Sequence, residues 1–332
     1  MKLADVARLA GVSTATVSRA LSTPNKVSPE MLRRVEEAVR LSGYVLHGAA
    51  RALRSRRSRT VGAVVPTLDN AIFANATHAL QKTLEENGYT LLVASHEFDL
   101  EAEVRVVRPL LERGIDGLVL VGLDHEPALF ELLESFRLPY VLTWALDPEG
   151  RHPCVGFRNR DAAARVAGYL LDMGHRRFGM IAGLTARNDR ARERVIGVRE
   201  TLASQGIVLD PEHVLERPYT FGDGRGGLAA LMRLNPPPTA VICGNDVLAI
   251  GAMTEARAQG IAVPRDLSIT GFDDLEISSL IEPALTTVRV PTRQLGQLAA
   301  QHLLARLAGQ EVERLREVSV ELIVRASTAP PP

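Results

Sequence analysis

Residues 5–19 of this 332-residue chain, Asp-Val-Ala-Arg-Leu-Ala-Gly-Val-Ser-Thr-Ala-Thr-Val-Ser-Arg, most constrain what it can fold into. They read as two short helices joined by a tight turn. Val6, Ala7 and Ala10 share one face of the first. Gly11 breaks it, at a turn that needs positive φ. Ser13 is placed to cap the second helix by accepting from an N–H near Thr16. Val12, Val17 and Leu21 face back onto the first helix, leaving Thr14, Ala15, Ser18 and Arg19 outside. A helix-turn-helix of this kind presents its second helix to the major groove of duplex DNA.

A third helix is expected after Ser28 as N-cap and Pro29 at its first position. Leu32, Val35, Ala38 and Val39 form its apolar stripe, and Gly43 ends it. Charge agrees with a nucleic-acid partner. The whole chain is neutral, but residues 1–59 carry twelve Lys or Arg against four acids, so that this end is net +8 and the remainder net −8. Such an end is the footprint of phosphate contact. Residues 48–59, with Ala49, Ala50, Ala52 and Leu53 followed by crowded arginines, form a linker too short to be a stable helix in water. It is expected to become helical on DNA.

On the residues Asp5-Val-Ala, Ala10-Gly-Val-Ser, Thr16-Val-Ser-Arg19, Gly43-Tyr44 and Ala50-Arg-Ala-Leu53, the chain resembles the LacI/GalR family of transcriptional repressors. The resemblance implies that the helix beginning near Ser13 reads base edges, with Thr14, Ala15, Thr16, Ser18 and Arg19 as the contacting set. It also implies a hinge helix in the minor groove, with Leu53 as a wedge between bases and Ala50 beside it. One position departs from the family pattern: Lys2 stands where a capping residue is usual. A lysine and a free amino group both oppose the positive end of a helix. The first helix is therefore expected to fray, or the native start to lie upstream.

From about Thr60 short apolar runs alternate with amphipathic stretches. Strands are expected at Val61–Pro66, Thr90–Ser95, Gly117–Gly122 and Tyr140–Thr143, then at Arg177–Ala182, Thr239–Cys243 and Leu267–Gly271. Helical patterns lie between, such as Ala74–Asn87, Ala162–Met173, Arg192–Gln205, Val247–Gln259 and Gln294–Leu307. The alternation predicts an α/β body with parallel sheets. Roughly 270 residues in two similar series suggests two subdomains. The resemblance makes these two Rossmann-like subdomains of the periplasmic-binding-protein type, crossed three times, near Phe157–Asn159, Thr287–Arg289 and Val318–Val320. The expected domains are a helix-turn-helix domain at 1–47 and a hinge at 48–59. An N-terminal effector subdomain follows at 60–157 and 288–318, a C-terminal one at 158–287 and 319–328, and a tail at 329–332.

Ligands of open α/β sheets bind beyond the carboxyl ends of strands. Asn245-Asp246, Asp273-Asp274 and Asp69-Asn70 fall at such ends, where Asn and Asp are also good helix caps. With the resemblance, Asp273 is expected to contact an effector and Asp246 to cap or orient; Asn245 joins the effector set. Arg194, within Asp189–Gly197, matches the family's effector-binding arginine. Trp144 is the only tryptophan, and its indole suits either stacking on a sugar or base or plain core packing. Phe221 stands where the family often has an aromatic, and simple burial is the alternative for it. Ile72 and Phe73 start a helix near the cleft and are expected either to line it or to close a dimer interface; Asp189 and Arg190 add polar groups. Several arginines by a cleft suit a carboxylate or phosphate. The effector expected is a sugar acid before a neutral sugar or a nucleobase.

Other chemistry finds little support. Cys154 and Cys243 make no disulfide framework and suit a reducing cytoplasm. No secretory signal or membrane span is legible. No zinc spacing or nucleophile motif occurs, so neither a metal, a cofactor nor an enzyme activity is expected. Gly222-Asp-Gly-Arg-Gly-Gly227 has dinucleotide-fingerprint spacing, but residues 216–221 do not read as a buried strand before it. These glycines are expected to be a flexible start to a helix at Leu228. A transporter's solute-binding protein, an enzyme fused to a DNA module and a sequence-independent architectural protein are the rival classes. A tail ending in Pro330-Pro-Pro has no leucine heptad, so a homodimer is expected rather than a tetramer.

Overall fold

The computed structural model describes residues 2–22, 24–44 and 57–332. The hinge residues Ala50 and Leu53 lie outside these described residues. The helical head and the α/β body are each described by themselves.

In the head, α1 (Leu3–Ala10), α2 (Thr14–Ser22) and α3 (Pro29–Ser42) pack around Val6, Ala7, Ala10, Val17, Ala20, Val35 and Ala38. Gly11 closes α1 in the left-handed region at φ 63°, so the turn expected from sequence is the one formed. Arg34 reaches from α3 to the carbonyl of Ala10 at 2.7 Å, fixing the same turn from outside. Ser28 caps α3 through Met31 N–H at 3.3 Å. Lys2 makes no side-chain cap, but the Asp5 carboxylate accepts from Lys2 N–H at 2.9 Å. An acid in the first turn thus supplies the favourable charge that Lys2 lacks.

The body is built on two six-stranded sheets. The first uses β1 (Thr60–Val65), β2 (Thr90–Ser95), β3 (Gly117–Val121), β4 (Tyr140–Thr143), β5 (Cys154–Gly156) and β11 (Leu315–Glu317), in the order β11-β5-β4-β3-β1-β2. The second uses β6 (Phe178–Gly183), β7 (Val214–Arg217), β8 (Ala240–Cys243), β9 (Ser268–Asp273), β10 (Thr286–Arg289) and β12 (Glu321–Ile323), in the order β12-β10-β9-β8-β6-β7. β3 runs parallel to β1 and β4, β8 runs parallel to β6 and β9, and β12 joins β10 antiparallel. The chain passes from the first sheet to the second after β5, returns after β10, and crosses again between β11 and β12. The helices are α4 (Ala71–Glu86), α5 (Leu100–Glu112) and α6 (Pro127–Ser135) in the first half, followed by α7 (Asn159–Asp172), α8 (Asp189–Ala203), α9 (Phe221–Leu231) and α10 (Asp246–Ala258). The last, α11 (Thr292–Leu307), packs on α4. β1, β3, β6, β8 and β9 are buried almost throughout, as expected of strands covered on both faces.

The glycine run corrects a sequence expectation. Helix α9 starts at Phe221, capped by Thr220, and contains Gly222, Gly224, Gly226 and Gly227 instead of starting at Leu228. Tertiary packing overrides poor propensity here. A Cβ on Gly224 would overlap the Leu248 carbonyl, and one on Gly251 would overlap the Phe221 carbonyl, so α9 and α10 approach backbone to backbone. The strand before it, β7, is only half-buried, which fits no dinucleotide site. Gly224→Ala is expected to lower stability by about 1–3 kcal/mol by overpacking. Gly226→Ala, with open space around it, is expected to raise stability by up to about 1 kcal/mol. Thermal unfolding of both variants checks the contrast.

Candidate functional site

Two surfaces carry chemistry. On the head, the start of α2 is built by Ser13, whose Oγ accepts from Thr16 N–H at 3.1 Å and lies 2.9 Å from Thr16 Oγ1. Val17 and Ala20 are buried against α1 and α3. Thr14, Ala15 and Arg19 are exposed, and Thr16 and Ser18 half-buried beside them. The five residues expected to meet DNA therefore share one accessible side of α2. It presents hydroxyls, a methyl and a guanidinium, the groups that read major-groove edges and phosphates.

In the body, a partly open cavity is lined from both halves. The first half contributes Asn70, Ile72, Phe73, Phe98 and Trp144; the second contributes Asn188, Arg190, Arg194, Tyr219, Asn245 and Asp273. Three asparagines enter it as helix caps. Asn70 Oδ1 accepts from Ile72 N–H at 3.2 Å, Asn188 Oδ1 from Ala191 N–H at 3.4 Å and Asn245 Oδ1 from Leu248 N–H at 2.9 Å. Capping and lining are thus one placement, since strand ends and helix starts meet at the same edge of each sheet.

Arg194 is the anchor. Its Nε donates to Asn159 Oδ1 at 3.0 Å and its Nη1 to the Gly244 carbonyl at 2.6 Å, while its guanidinium carbon sits 3.7 Å above the centre of the Phe272 ring. Burial disfavours its charge and pulls its pKa below the ordinary value. Asn159 Nδ2 in turn donates to the Trp144 carbonyl at 2.8 Å, so one amide ties the indole's backbone to the arginine. Asp273, at the end of β9, is 4 % exposed and its Oδ1 has no partner. Burial raises its pKa to about 8, against the pull of Arg194. Trp144, Asp273 and Asp274 all have positive φ, at 70°, 111° and 56°. Strained non-glycine backbone persists only where its surroundings over-determine it, and it collects at ligand sites.

The aromatic residues lining the cavity form two pairs. Phe73 meets Trp144 edge-on at 5.2 Å, and Phe98 lies 6.2 Å from Tyr219. Asp246 is fully buried outside the cavity. Its Oδ2 accepts from Leu275 N–H at 2.8 Å and Ser278 Oγ at 2.6 Å, and its Oδ1 accepts from Thr287 Oγ1 at 2.5 Å. Asp246 therefore orients, while Asp273 faces the cavity.

The expected effector residues Phe73, Trp144, Arg194, Asn245 and Asp273 are brought together. Phe221 and Asp189 are not. Phe221 is the first residue of α9 and 54 % exposed, because Thr220 turns the chain outward; Tyr219, two residues earlier, supplies the aromatic group instead. Asp189 is turned onto Arg190, 3.1 Å from its Nη1, and braces it without lining the cavity. Phe98, Asn188, Tyr219 and the bridging Asn159 escaped the sequence reading. Asn188 caps a helix that begins at Asp189, three residues earlier than the pattern at Arg192–Gln205 shows, and so its capping signal is hidden.

The chain matches two family models: "Bacterial regulatory proteins, lacI family" at residues 2–46, and a periplasmic binding protein-like domain at residues 167–328. It is 36% identical over 326 residues to the transcriptional repressor CytR of Escherichia coli K12, covering 98% of this chain and 95% of CytR. Its structure is similar to that of the lac repressor dimer bound to operator and the anti-inducer ONPF, with a TM-score of 0.87, 27% identity and 99% of each chain covered. It is also similar to the transcriptional regulator CelR in complex with cellobiose, with a TM-score of 0.74, 29% identity, and 98% of this chain and 99% of the other covered.

Proposed function

The chain belongs to the lacI family of bacterial regulatory proteins, DNA-binding transcriptional repressors and not enzymes, and from that premise we propose that it is an effector-controlled homodimer acting on a near-palindromic operator of a carbohydrate or sugar-acid utilisation operon. The carrying observation is the accessible side of α2, with Thr14, Ala15, Thr16, Ser18 and Arg19 together. Two such helices on a two-fold axis match two half-sites. Leu53 is the proposed minor-groove wedge, with Ala50 beside it. Residues 60–157 with 288–318 and residues 158–287 with 319–328 are the two effector subdomains. The site of action is the cytoplasm, where the operator lies.

A sugar acid is the proposed effector. With Asp273 holding its proton up to about pH 8, and with Asp189 offsetting Arg190, the cavity keeps the Arg194 cation. A buried cation next to an uncharged carboxyl favours an anionic ligand. Asp273 Oδ1 is a partner for a ligand hydroxyl, and Trp144 or Tyr219 for a sugar's C–H face. The dimer is supported by apolar groups left in solvent around α9 and α10. Phe221, Ile277 and Leu280 are exposed, and Ile281 lines an adjoining groove with Ile250 and Met253. A patch of this kind marks an interaction surface.

Selection of genomic DNA fragments by the purified protein, with and without gluconate and related acids, tests the reading. Recovery of a two-fold-symmetric site whose binding responds to one of these acids is the expected result. No preference among fragments would defeat it. Leu53→Ala is expected to weaken binding to the recovered site at least tenfold, by losing the wedge, while the effector midpoint is unchanged. A gel-shift titration checks it.

A further inference from the structure

The two halves of the body are tied together outside the cavity by side chains from one short stretch. Arg192, in the first turn of α8, donates from Nη1 to Asp124 Oδ2 and from Nη2 to Asp124 Oδ1, both at 2.8 Å. Asp124 belongs to the loop between β3 and α6, in the other half. Arg190 Nη1 donates to the carbonyl of Val121, the last residue of β3, at 3.1 Å, and Arg187 lies 3.4 Å from Glu126 on the loop.

The receiving loop is shaped for these contacts. Gly122 has φ 91°, and a Cβ there would overlap Arg190 Nη1. His125 Nε2 lies 3.1 Å from the Gly122 carbonyl, and its Nδ1 lies 2.8 Å from the fully buried Glu103. The loop is thereby pegged to α5 and presents Asp124 as a fixed acceptor. Arg190 also lines the cavity, so one side chain feels both the cavity and the tie.

We infer that Arg192 and Asp124, with Arg190 resting on Gly122, form a latch that sets the closed-to-open ratio of the cleft. Arg192 and Asp124 are positioning residues: they lie outside the cavity lining and act by holding its walls together, while Arg190 reaches both. The pair is bidentate, with side chains 42 % and 25 % exposed, so it is stronger than a free surface pair and still weakened by salt. Closure contributed by such a pair moves a two-state ratio about two- to fivefold. The latch stands on cross-cleft geometry alone and does not require the effector to be a sugar acid.

Trp144 gives the readout. It is the only tryptophan, it is 3 % exposed, and residues of the opposite half share its cavity. In the full chain, D124N and R192Q are each expected to raise acrylamide quenching of its fluorescence about two- to fivefold. The charge-exchanged D124R/R192D protein is expected to return to the shielded value. Salt raised from about 0.05 to about 0.5 M is expected to increase quenching more in the unaltered protein than in D124N, which keeps only the longer Arg187–Glu126 ion pair across the cleft. Single variants that quench like the unaltered protein, or an exchanged pair as open as the singles, would overturn the latch. Where a variant fails to fold, salt-independent quenching of the unaltered protein overturns it alone.

Discussion

Arg194→Ala is expected to destabilise the body by about 3–5 kcal/mol and to abolish the response to any anionic effector. The substitution leaves Asn159 Oδ1 and the Gly244 carbonyl without their donor and removes the cation over the Phe272 ring. The Asp273 carboxyl also loses the nearby cation that holds its pKa down against burial. Urea unfolding measures the stability loss, and a thermal-shift titration with gluconate measures the response. Head-domain contact with DNA is expected to survive at low salt, because it rests on α2. A variant as stable as the parent would show that Arg194 is a spectator.

The second large effect is a pH dependence at Asp273. Its carboxyl holds its proton more tightly in the fold, at about 8, than at the ordinary value of 3.8. The stability it contributes is complete below that ordinary value and is lost as pH rises through about 8. The full span corresponds to roughly 6 kcal/mol, most of it lost by neutral pH. Asp273→Asn keeps the shape and cannot ionise. Relative to this variant the parent is expected to lose stability steadily between about pH 4 and 8, then run parallel. Anionic effector affinity of the parent is likewise expected to fall above pH 8 and to stay level in the variant. Denaturation and binding series across that range check both; a parent-minus-variant difference flat in pH would contradict the burial of Asp273.

Why some of this was legible in the chain and some not has a physical basis. Buried parallel strands such as Gly117–Val121 and Ala240–Cys243 are runs of apolar residues, and periodicity reads them within a residue or two. β5, β11 and β12 have three residues each, and β11 is wholly exposed, so no pattern marks them; partner strands define them. The α2 face was legible because a glycine turn, a serine cap and the apolar spacing act within a dozen residues. The cavity was legible only where an Asn or Asp followed a strand. Tyr219 and Phe98 reach it from loops, and nothing local separates Tyr219 from Phe221, which points away. The glycines of α9 misled for a related reason: their use lies in the backbone of α10, distant in sequence.

Asp246 has a consequence for how motion would travel. Its carboxylate staples the start of α10, the turn at Leu275–Ser278 and Thr287 of β10. β10 is the strand from which the chain leaves the second sheet. The exit strand is therefore welded to the wall that holds Asp273, and cannot flex independently of it. A displacement of that wall would therefore carry β10 with it.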